Sequence, residues 1–387
     1  MTTALQQRGW FSRIRFLATS AALALQILLV ATLVANPLAQ AQMYTVLYRF
    51  TGGSDGAFPW AALLRDPAGN LYGTTMEGGD LSCNVTGCGT VFKLNTNGRQ
   101  SVLHAFNGSD GYLVRAPLIR APHGFYGISW QGGADGSGVV FQLDSGGNET
   151  VLYTFTGFGP DGGLPDGGLI RDAAGNLYGT CSATIQQPES WGTAFKVDAT
   201  GKITILHTFT GKPDGAQPSS GLIRDTAGNL YGTTSAGGAT GQGTVFKLDR
   251  AGAETVLYSF TGKNGDGAQP RGGLIRDTSG NLYGITYIGG SAGKGTVFKL
   301  DASGHETVLH SFTDSPDGAS PYAGLLRDAL GNLLRRRYRP RNRIQARYDR
   351  HHDSVAQLRR RIGRCESLCR VDHGRERQLV RHDLEWR

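Results

Sequence analysis

Short apolar runs alternate with clusters of glycine, aspartate and asparagine along most of the chain, and the same succession of runs returns at a nearly constant interval. The tyrosine of an N-L-Y-G string or its variant is spaced by 54, 52, 53 and 52 residues, at Tyr72, Tyr126, Tyr178, Tyr231 and Tyr283. A fixed period of this length indicates tandem copies of one supersecondary unit.

One copy, residues 219–260, shows what the unit is. Its apolar runs predict four strands, at 221–225, 230–234, 243–249 and 255–260. The runs are rich in Val, Thr, Tyr and Phe and are bounded by turn residues, which is typical of strands and leaves no room for a helix. A D-x-x-G string joins the first strand to the second and the third to the fourth, as expected of type I turns with Asp first and Gly fourth.

Four antiparallel strands in each tandem copy predict an all-β fold, a β-propeller whose blades have about 53 residues. Five complete blades end at Phe106, Phe155, Phe209, Phe260 and Phe312. Residues 44–50 (YTVLYRF) form an isolated fourth strand ahead of them, and the pattern stops after Leu333 in the middle of a sixth blade. The prediction is therefore an incomplete ring with an exposed edge near residues 322–328.

The strings G-L-I-R-D, G-N-L-Y-G-T-T, G-T-V-F-K-L-D and T-V-L-Y-S-F recur over residues 43–333. In these strings the chain resembles the bacterial GloVer tandem repeat family. The resemblance implies a secreted or surface protein with a variable C-terminal anchoring segment, and it implies no known reaction. The second copy departs from the pattern at residues 124–127 and lacks D-x-x-G, while the third lacks the Gly-Gly pair after its second strand.

Residues 1–41 lie outside the repeat. Three arginines precede an apolar run over 16–34, and A-Q-A follows at 39–41, which is the order of a cleaved signal peptide. A single transmembrane anchor is the alternative, since the run approaches the thickness of a bilayer. We expect cleavage after Ala41, a secreted or cell-surface location, and a mature repeat body over 42–333 with no stable membrane span.

Residues 334–387 differ sharply in composition. They hold 17 Arg, no Lys and 7 acidic residues, a balance of +10, which leaves −2 for residues 1–333 because the whole chain carries +8. Codons compatible with residues 344–351 and 377–386, read one nucleotide later, give FKLDTTGT and GNLYGTTSSG, which are repeat strings. This predicts a disordered, frame-shifted tail. A basic arm for nucleic acid or an anionic polymer is the alternative, and the acidic repeat body indicates no nucleic-acid partner.

The loop after each fourth strand contains Asp-Gly, at Asp55, Asp110, Asp161, Asp214, Asp266 and Asp317. Six carboxylates on one face of a ring are candidates for binding cations or sugar hydroxyls. The alternative is that Asp-Gly only makes the turn into the next blade. No D-x-D-x-D-G calcium string is present, and we expect neither a metal nor a cofactor.

Three further sets of residues have structural interpretations. Cys83 and Cys88 are predicted to form a local disulfide in an exported chain, and Cys181 to be a buried apolar residue. His104, His207 and His310 share one position of the fourth strand with Tyr48, Tyr153 and Tyr258, which indicates a packing role with a polar tip. Arginines end the innermost strands, where they line the channel or pair with neighbouring carboxylates, at Arg65, Arg171, Arg224, Arg276 and Arg327.

Two classes of function fit these patterns. The first is a non-catalytic extracellular propeller that binds a glycan, a polymer or a protein; the second is a secreted propeller enzyme, a hydrolase or lyase of glycans. An active site needs unequal residues from different blades, usually a carboxylate pair or a His with a carboxylate. The loops differ little from copy to copy, which favours binding, and we assign no catalytic residue.

Overall fold

The computed structural model describes residues 45–327, except 158, 184–190 and 315–316, together with 333–334. The chain divides into two compact units, Met1–Thr45 and Val46–Arg387, and the architecture below is that of the second. The predicted signal peptide and the predicted tail beyond residue 334 lie outside the described residues.

The described part of the chain contains strands and turns and no helix. The first blade comprises β1 (Leu64–Arg65), β2 (Leu71–Thr75), β3 (Thr90–Leu94) and β4 (Gln100–Ala105). The second comprises β5 (Ile119–Ala121), β6 (Gly124–Ser129), β7 (Val139–Asp144) and β8 (Glu149–Thr154). The third comprises β9 (Gly163–Pro165), β10 (Ile170–Arg171), β11 (Leu177–Ala183), β12 (Thr193–Val197) and β13 (Ile203–Thr208).

The later blades repeat this arrangement. The fourth comprises β14 (Ile223–Arg224), β15 (Leu230–Thr234), β16 (Thr244–Leu248) and β17 (Glu254–Ser259). The fifth comprises β18 (Gly267–Pro270), β19 (Ile275–Arg276), β20 (Leu282–Gly289), β21 (Thr296–Leu300) and β22 (Glu306–Ser311). A sixth repeat begins with the hairpin β23 (Leu326–Arg327) and β24 (Leu333–Leu334).

Within each blade the four main strands pair antiparallel in sequence order, and β9 and β18 add short pairings to β11 and β20. The third and fourth strands of all five blades share one irregularity. In the fourth blade Val245 pairs with Tyr258 and Phe246 with Val256, so Leu257 is an extra residue in a β-bulge. Tandem four-stranded sheets with this repeated register make the fold an all-β structure of propeller blades, as the sequence predicts.

The first turn of each regular blade explains the D-x-x-G-N-L-Y string. Asp225 accepts hydrogen bonds from the backbone nitrogen and the side-chain amide of Asn229, both at 2.8 Å, and from the Tyr231 hydroxyl at 3.0 Å. Burial raises the pKa of Asp225, but these hydrogen bonds outweigh it and the net shift is downward. The aspartates of these turns are therefore structural, as the sequence indicates.

Consecutive blades are joined by pairs of phenylalanine rings. The Phe that ends one blade packs edge-to-face on the central Phe of the third strand of the next, with centroids 5.0–5.2 Å apart, in the pairs Phe106–Phe141, Phe155–Phe195, Phe209–Phe246 and Phe260–Phe298. Gly232 of the N-L-Y-G string makes room for this ring, because a Cβ there would lie 2.6 Å from Phe246 Cζ. The core therefore lies between the blades, where each sheet buries its faces against its neighbours.

Residues 45–50 extend this packing ahead of the first blade. Phe50 is buried and lies edge-to-face on Phe92, with centroids 5.0 Å apart. The segment contains one isolated bridge, at Arg49, in place of the continuous strand predicted over 44–50. Its contact with the first blade is thus made by side chains in the same way as the contacts between later blades.

Candidate binding site at the inner loops

The four connections of each blade alternate between two edges of the sheet, because the strands are antiparallel and paired in order. The two tight turns share one edge, and the Gly-rich loop and the Asp-Gly loop share the other. Backbone bridges join these two loops, for example between Ala57 and Glu77 and between Ala216 and Ala236. All six Asp-Gly loops therefore belong to one repeated edge.

The six predicted aspartates are engaged inside their own loops. Asp214 accepts hydrogen bonds from the backbone nitrogen of Thr210 at 3.1 Å and from its hydroxyl at 2.9 Å. Asp161 makes the same contacts with Thr156. Asp161 and Asp214 are buried, and none of the six is exposed. Their geometry is that of a carboxylate closing a turn, and a ligand role for them stays a prediction.

The tyrosine and histidine that alternate on the fourth strand donate to these same carboxylates. Tyr48 lies 3.0 Å from Asp55 and Tyr153 lies 2.9 Å from Asp161, while His207 Nε2 lies 3.0 Å from Asp214. The remaining pairs follow the same rule, namely His104–Asp110, Tyr258–Asp266 and His310–Asp317. A phenol and an imidazole are interchangeable here because each presents one donor at the end of a flat ring.

Three residues after each aspartate the backbone turns left-handed at a residue other than glycine. The φ angles lie between 49° and 56° at Phe58, Leu113, Leu164, Gln217, Gln269 and Ser320. The turned residue links two blades through its backbone. The backbone N–H of Gln217 donates to the carbonyl oxygen of Trp191 in the preceding blade at 2.7 Å, and the carbonyl oxygen of Gln217 accepts from the backbone N–H of Ser235 in its own blade. These hydrogen bonds hold a conformation that costs roughly 1–3 kcal/mol by itself.

Two residues beyond this turn, the side chain varies among the repeats, and only arginine occurs twice. The six equivalent positions are Trp60, Arg115, Asp166, Ser219, Arg271 and Tyr322. Several of them meet one another although up to five repeats separate them in sequence. We call the following set the inner cluster: Trp60, Arg115, Trp130, Asp166, Arg271, Tyr287 and Tyr322.

Arg115 lies at one side of the inner cluster. Its guanidinium carbon is 3.6 Å from the centroid of Trp130, and its Nε is 3.9 Å from Asp166 Oδ1. Its side chain is only 19% exposed, and both Nε and Nη2 are buried with no hydrogen-bond partner among the described residues. A buried guanidinium with two unused donors is unfavourable, so a hydrogen-bond acceptor beside these two nitrogens would stabilise it.

Arg271 occupies the corresponding place three repeats later. Its guanidinium carbon lies 4.9 Å from the ring centroid of Tyr287 and 5.5 Å from that of Tyr322. Arg271 Nε is also buried without a partner among the described residues. The Trp60 ring packs edge-to-face on Tyr322 with centroids 5.9 Å apart, which brings the first and the sixth loop together.

The inner cluster holds two positive charges and one negative charge. Burial raises the pKa of Asp166, and the charges of Arg115 and Arg271 oppose that shift. Burial lowers the pKa of Arg115, and Asp166 opposes it. The net shift of the Asp166 pKa is upward because burial outweighs the two arginine charges. Two guanidiniums and at most one carboxylate charge give the inner cluster a positive balance.

The other predicted residues are placed as follows. Cys83 and Cys88 are joined in a disulfide, with Cα atoms 5.8 Å apart. Cys181 is a free, buried thiol whose pKa burial raises. Arg276 lies over the Tyr231 ring of the preceding blade, 5.6 Å from its centroid, and near that blade's Asp225, which is the pairing role that the sequence offered.

Among the described residues no group of three or more His, Cys, Asp and Glu is arranged to hold a metal ion. No helix in the described part of the chain is long and apolar enough to cross a membrane. The inner cluster is the place where unequal residues from different blades converge.

Sheets of this kind with a convergent inner cluster define a β-propeller-type repeat protein. The model of the Gloeobacter/Verrucomicrobia repeat matches the chain at residues 34–188 and 172–334. The chain belongs to this family, as its repeated strings indicated. No curated protein is significantly similar to the sequence.

Solved structures with a similar arrangement include enzymes. The periplasmic gluconolactonase of Pseudomonas aeruginosa is 17% identical, with a TM-score of 0.43 over 74% of this chain and 84% of that one. A luciferin-regenerating enzyme is 14% identical, with a TM-score of 0.44 over 72% of this chain and 84% of that one. At such values the activities of these proteins do not transfer to this chain.

The inner cluster was missed at the level of sequence, where the loops were taken to differ little between copies. That interpretation is wrong at one position, since the fifth residue after each Asp-Gly aspartate is different in nearly every copy. The signal was present in the aligned repeats: a variable position inside an otherwise constant loop. An alignment of the repeats does not show that these positions lie close together in space.

Proposed function

We propose that this protein is an exported, non-catalytic binding protein that acts outside the cytoplasm and holds its ligand at the inner cluster. The observation that carries the proposal is the convergence of unequal side chains at equivalent repeat positions. Repeated positions serve the stack of blades, whereas these positions vary, contain buried unused donors and include aromatic rings suited to binding.

Binding is favoured over catalysis by the content of the cluster. Hydrolysis of glycosides ordinarily uses two carboxylates, and general acid–base catalysis uses groups free to exchange a proton. The inner cluster has one carboxylate, Asp166, and the charges of two arginines act on it. The His–Asp pairs elsewhere are replaced by Tyr–Asp pairs in other repeats, which fits a structural role.

The experiment measures binding of the purified mature chain to an array of glycans, with the hits carried into calorimetry. Trp60→Ala and Tyr322→Ala should weaken binding at least tenfold, about 1.4 kcal/mol. Phe58→Ala is the matched control, because Phe58 is 46% exposed and lies two residues from Trp60 outside the cluster. Equal losses in all three variants, or none in the first two, would place the ligand elsewhere. Release of shortened products would support the glycan-enzyme alternative.

Export is part of the proposal and has its own test. Cell fractionation followed by intact-mass analysis should find the chain outside the cytoplasm and beginning at Gln42. Material that retains residues 16–34 in the membrane fraction would favour the anchor. The nucleotide sequence around Leu333 tests the frame-shifted origin of the tail separately.

A further inference from the structure

From the charges of the inner cluster we infer that its ligand is an acidic saccharide, bound through a carboxylate to Arg115 and Arg271 and through a sugar face to the aromatic rings. This inference rests on the proposed function and names the class of ligand for that same site.

The first step is the balance of charge. Asp166 is the acidic side chain of the inner cluster, and the charges of Arg115 and Arg271 both act on it. Two guanidiniums and one carboxylate leave a single positive charge in a place from which water is largely removed. A buried charge without a partner is unfavourable, so a ligand with one negative charge at this place relieves a cost that the free protein bears.

The second step is hydrogen bonding. Arg115 offers Nε and Nη2, and Arg271 offers Nε, all buried and without acceptors among the described residues. Neighbouring N–H groups of one guanidinium match the two oxygens of a carboxylate, which makes such contacts strong and directional. Asp166 lies 3.9 Å from Arg115 Nε, too far for a hydrogen bond, and therefore does not already use that donor.

The third step is the apolar surface beside the charges. Trp60, Tyr287 and Tyr322 form a connected set of half-buried rings, with Tyr287 and Tyr322 centroids 6.1 Å apart. A pyranose ring has a face of C–H groups that packs on aromatic rings, and a uronic acid carries its carboxylate at the edge of that ring. Uronic acids thus combine the two features that the inner cluster can recognise.

The test compares two ligands of the same size on the unmodified protein. Calorimetry with oligogalacturonate should show binding, and its fully methyl-esterified form should bind at least tenfold more weakly, because esterification removes the charge and leaves the ring. Oligoglucuronate serves as a second acid. If neither acid binds, or if the ester binds as tightly as the acid, the inference is overturned.

Variants give the sign of the electrostatic effect. Arg115→Gln and Arg271→Gln should each weaken binding of oligogalacturonate at least tenfold, whereas Asp166→Asn should leave it equal or tighter because it removes the competing negative charge. Arg171→Gln, at a strand end on the opposite edge, should change nothing. Circular dichroism and the melting temperature check that each variant is folded. Weaker binding in Asp166→Asn together with unchanged binding in Arg115→Gln would contradict the assigned roles.

The proposed function and this inference fail in different ways. If a neutral ligand from the array binds and its affinity depends on Trp60 and Tyr322 but not on Arg115 and Arg271, the binding site stands and the acidic class is wrong. If oligogalacturonate binds but none of these side chains affects it, the location of the site is wrong.

Discussion

The ring of Phe209 lies edge-to-face on the ring of Phe246 in the following blade, with centroids 5.0 Å apart and planes at 67°. Both rings are almost completely buried. The same contact recurs between successive blades, so the stack is held by one geometry used repeatedly. Each repeat therefore depends on its neighbour for its core.

Truncation of this contact should be strongly destabilising. Phe246→Ala removes a buried ring from between two blades and leaves a cavity, and we expect a loss of roughly 3–5 kcal/mol in the free energy of unfolding. Phe58→Ala, at a half-exposed ring, should change it by less than about 1 kcal/mol. Denaturant unfolding followed by fluorescence measures both, and similar losses would show that the interface does not depend on the Phe pair.

A glycine of the second tight turn should tolerate no side chain. Gly252 has a φ of 88°, and a Cβ there would overlap Leu206 O of the preceding blade. Gly241 has a φ of 80° in the same blade with no atom within 4 Å of a Cβ. Gly252→Ala should lower the melting temperature more than Gly241→Ala. Both substitutions force alanine into a left-handed conformation, but only the new Cβ at position 252 also clashes with a neighbouring atom. Equal shifts would mean that the blades separate easily at this turn.

Three glutamates at the start of the fourth strand should make stability fall as pH rises. Burial raises the pKa of Glu149, Glu254 and Glu306 to about 7, and a nearby aspartate adds to the shift in each case. In the unfolded chain these groups ionise near 4.5. Between these values the folded chain retains more protons, so the stabilisation that these three glutamates provide is fully present below about pH 4.5 and is lost as the pH rises through about 7.

Glu254→Gln tests this dependence, and another repeat of the chain already has glutamine at this position. Gln100 occupies the same repeat position, and its amide donates to Asp55 O at 3.2 Å. The amide cannot ionise, so the variant should match the parent near pH 4.5 and exceed it in stability near pH 8. Urea unfolding at the two pH values measures the difference, and a variant that is less stable at both would contradict the ionisation account.

The side chain that donates to the Asp-Gly carboxylate should be exchangeable between histidine and tyrosine. His207→Tyr should change the free energy of unfolding little, because Tyr153 makes the same contact with Asp161. His207→Leu leaves the buried Asp214 carboxylate without this donor and should cost about 1–3 kcal/mol. Thermal unfolding of the pair decides between a structural and an imidazole-specific role, since the latter requires His207→Tyr to be as harmful as His207→Leu.

The sequence by itself determined the blades. Residues 230–234 form a strand with the bounds that the pattern predicts, and the Asp225 turn follows from residues within six positions of one another. Alternation, β-branched residues and turn chemistry act over a few residues, so they can be identified along the chain. The disulfide partners Cys83 and Cys88, five residues apart, belong to the same local level.

Only the tertiary structure decided where the variable position of each loop lies. Trp60 and Tyr322 are in the first and sixth repeats, yet their rings touch, and Asp166 acts on arginines from two other repeats. The aligned repeats mark the position as variable, but they do not show which residues meet, because a contact across hundreds of residues depends on how the blades are arranged in space.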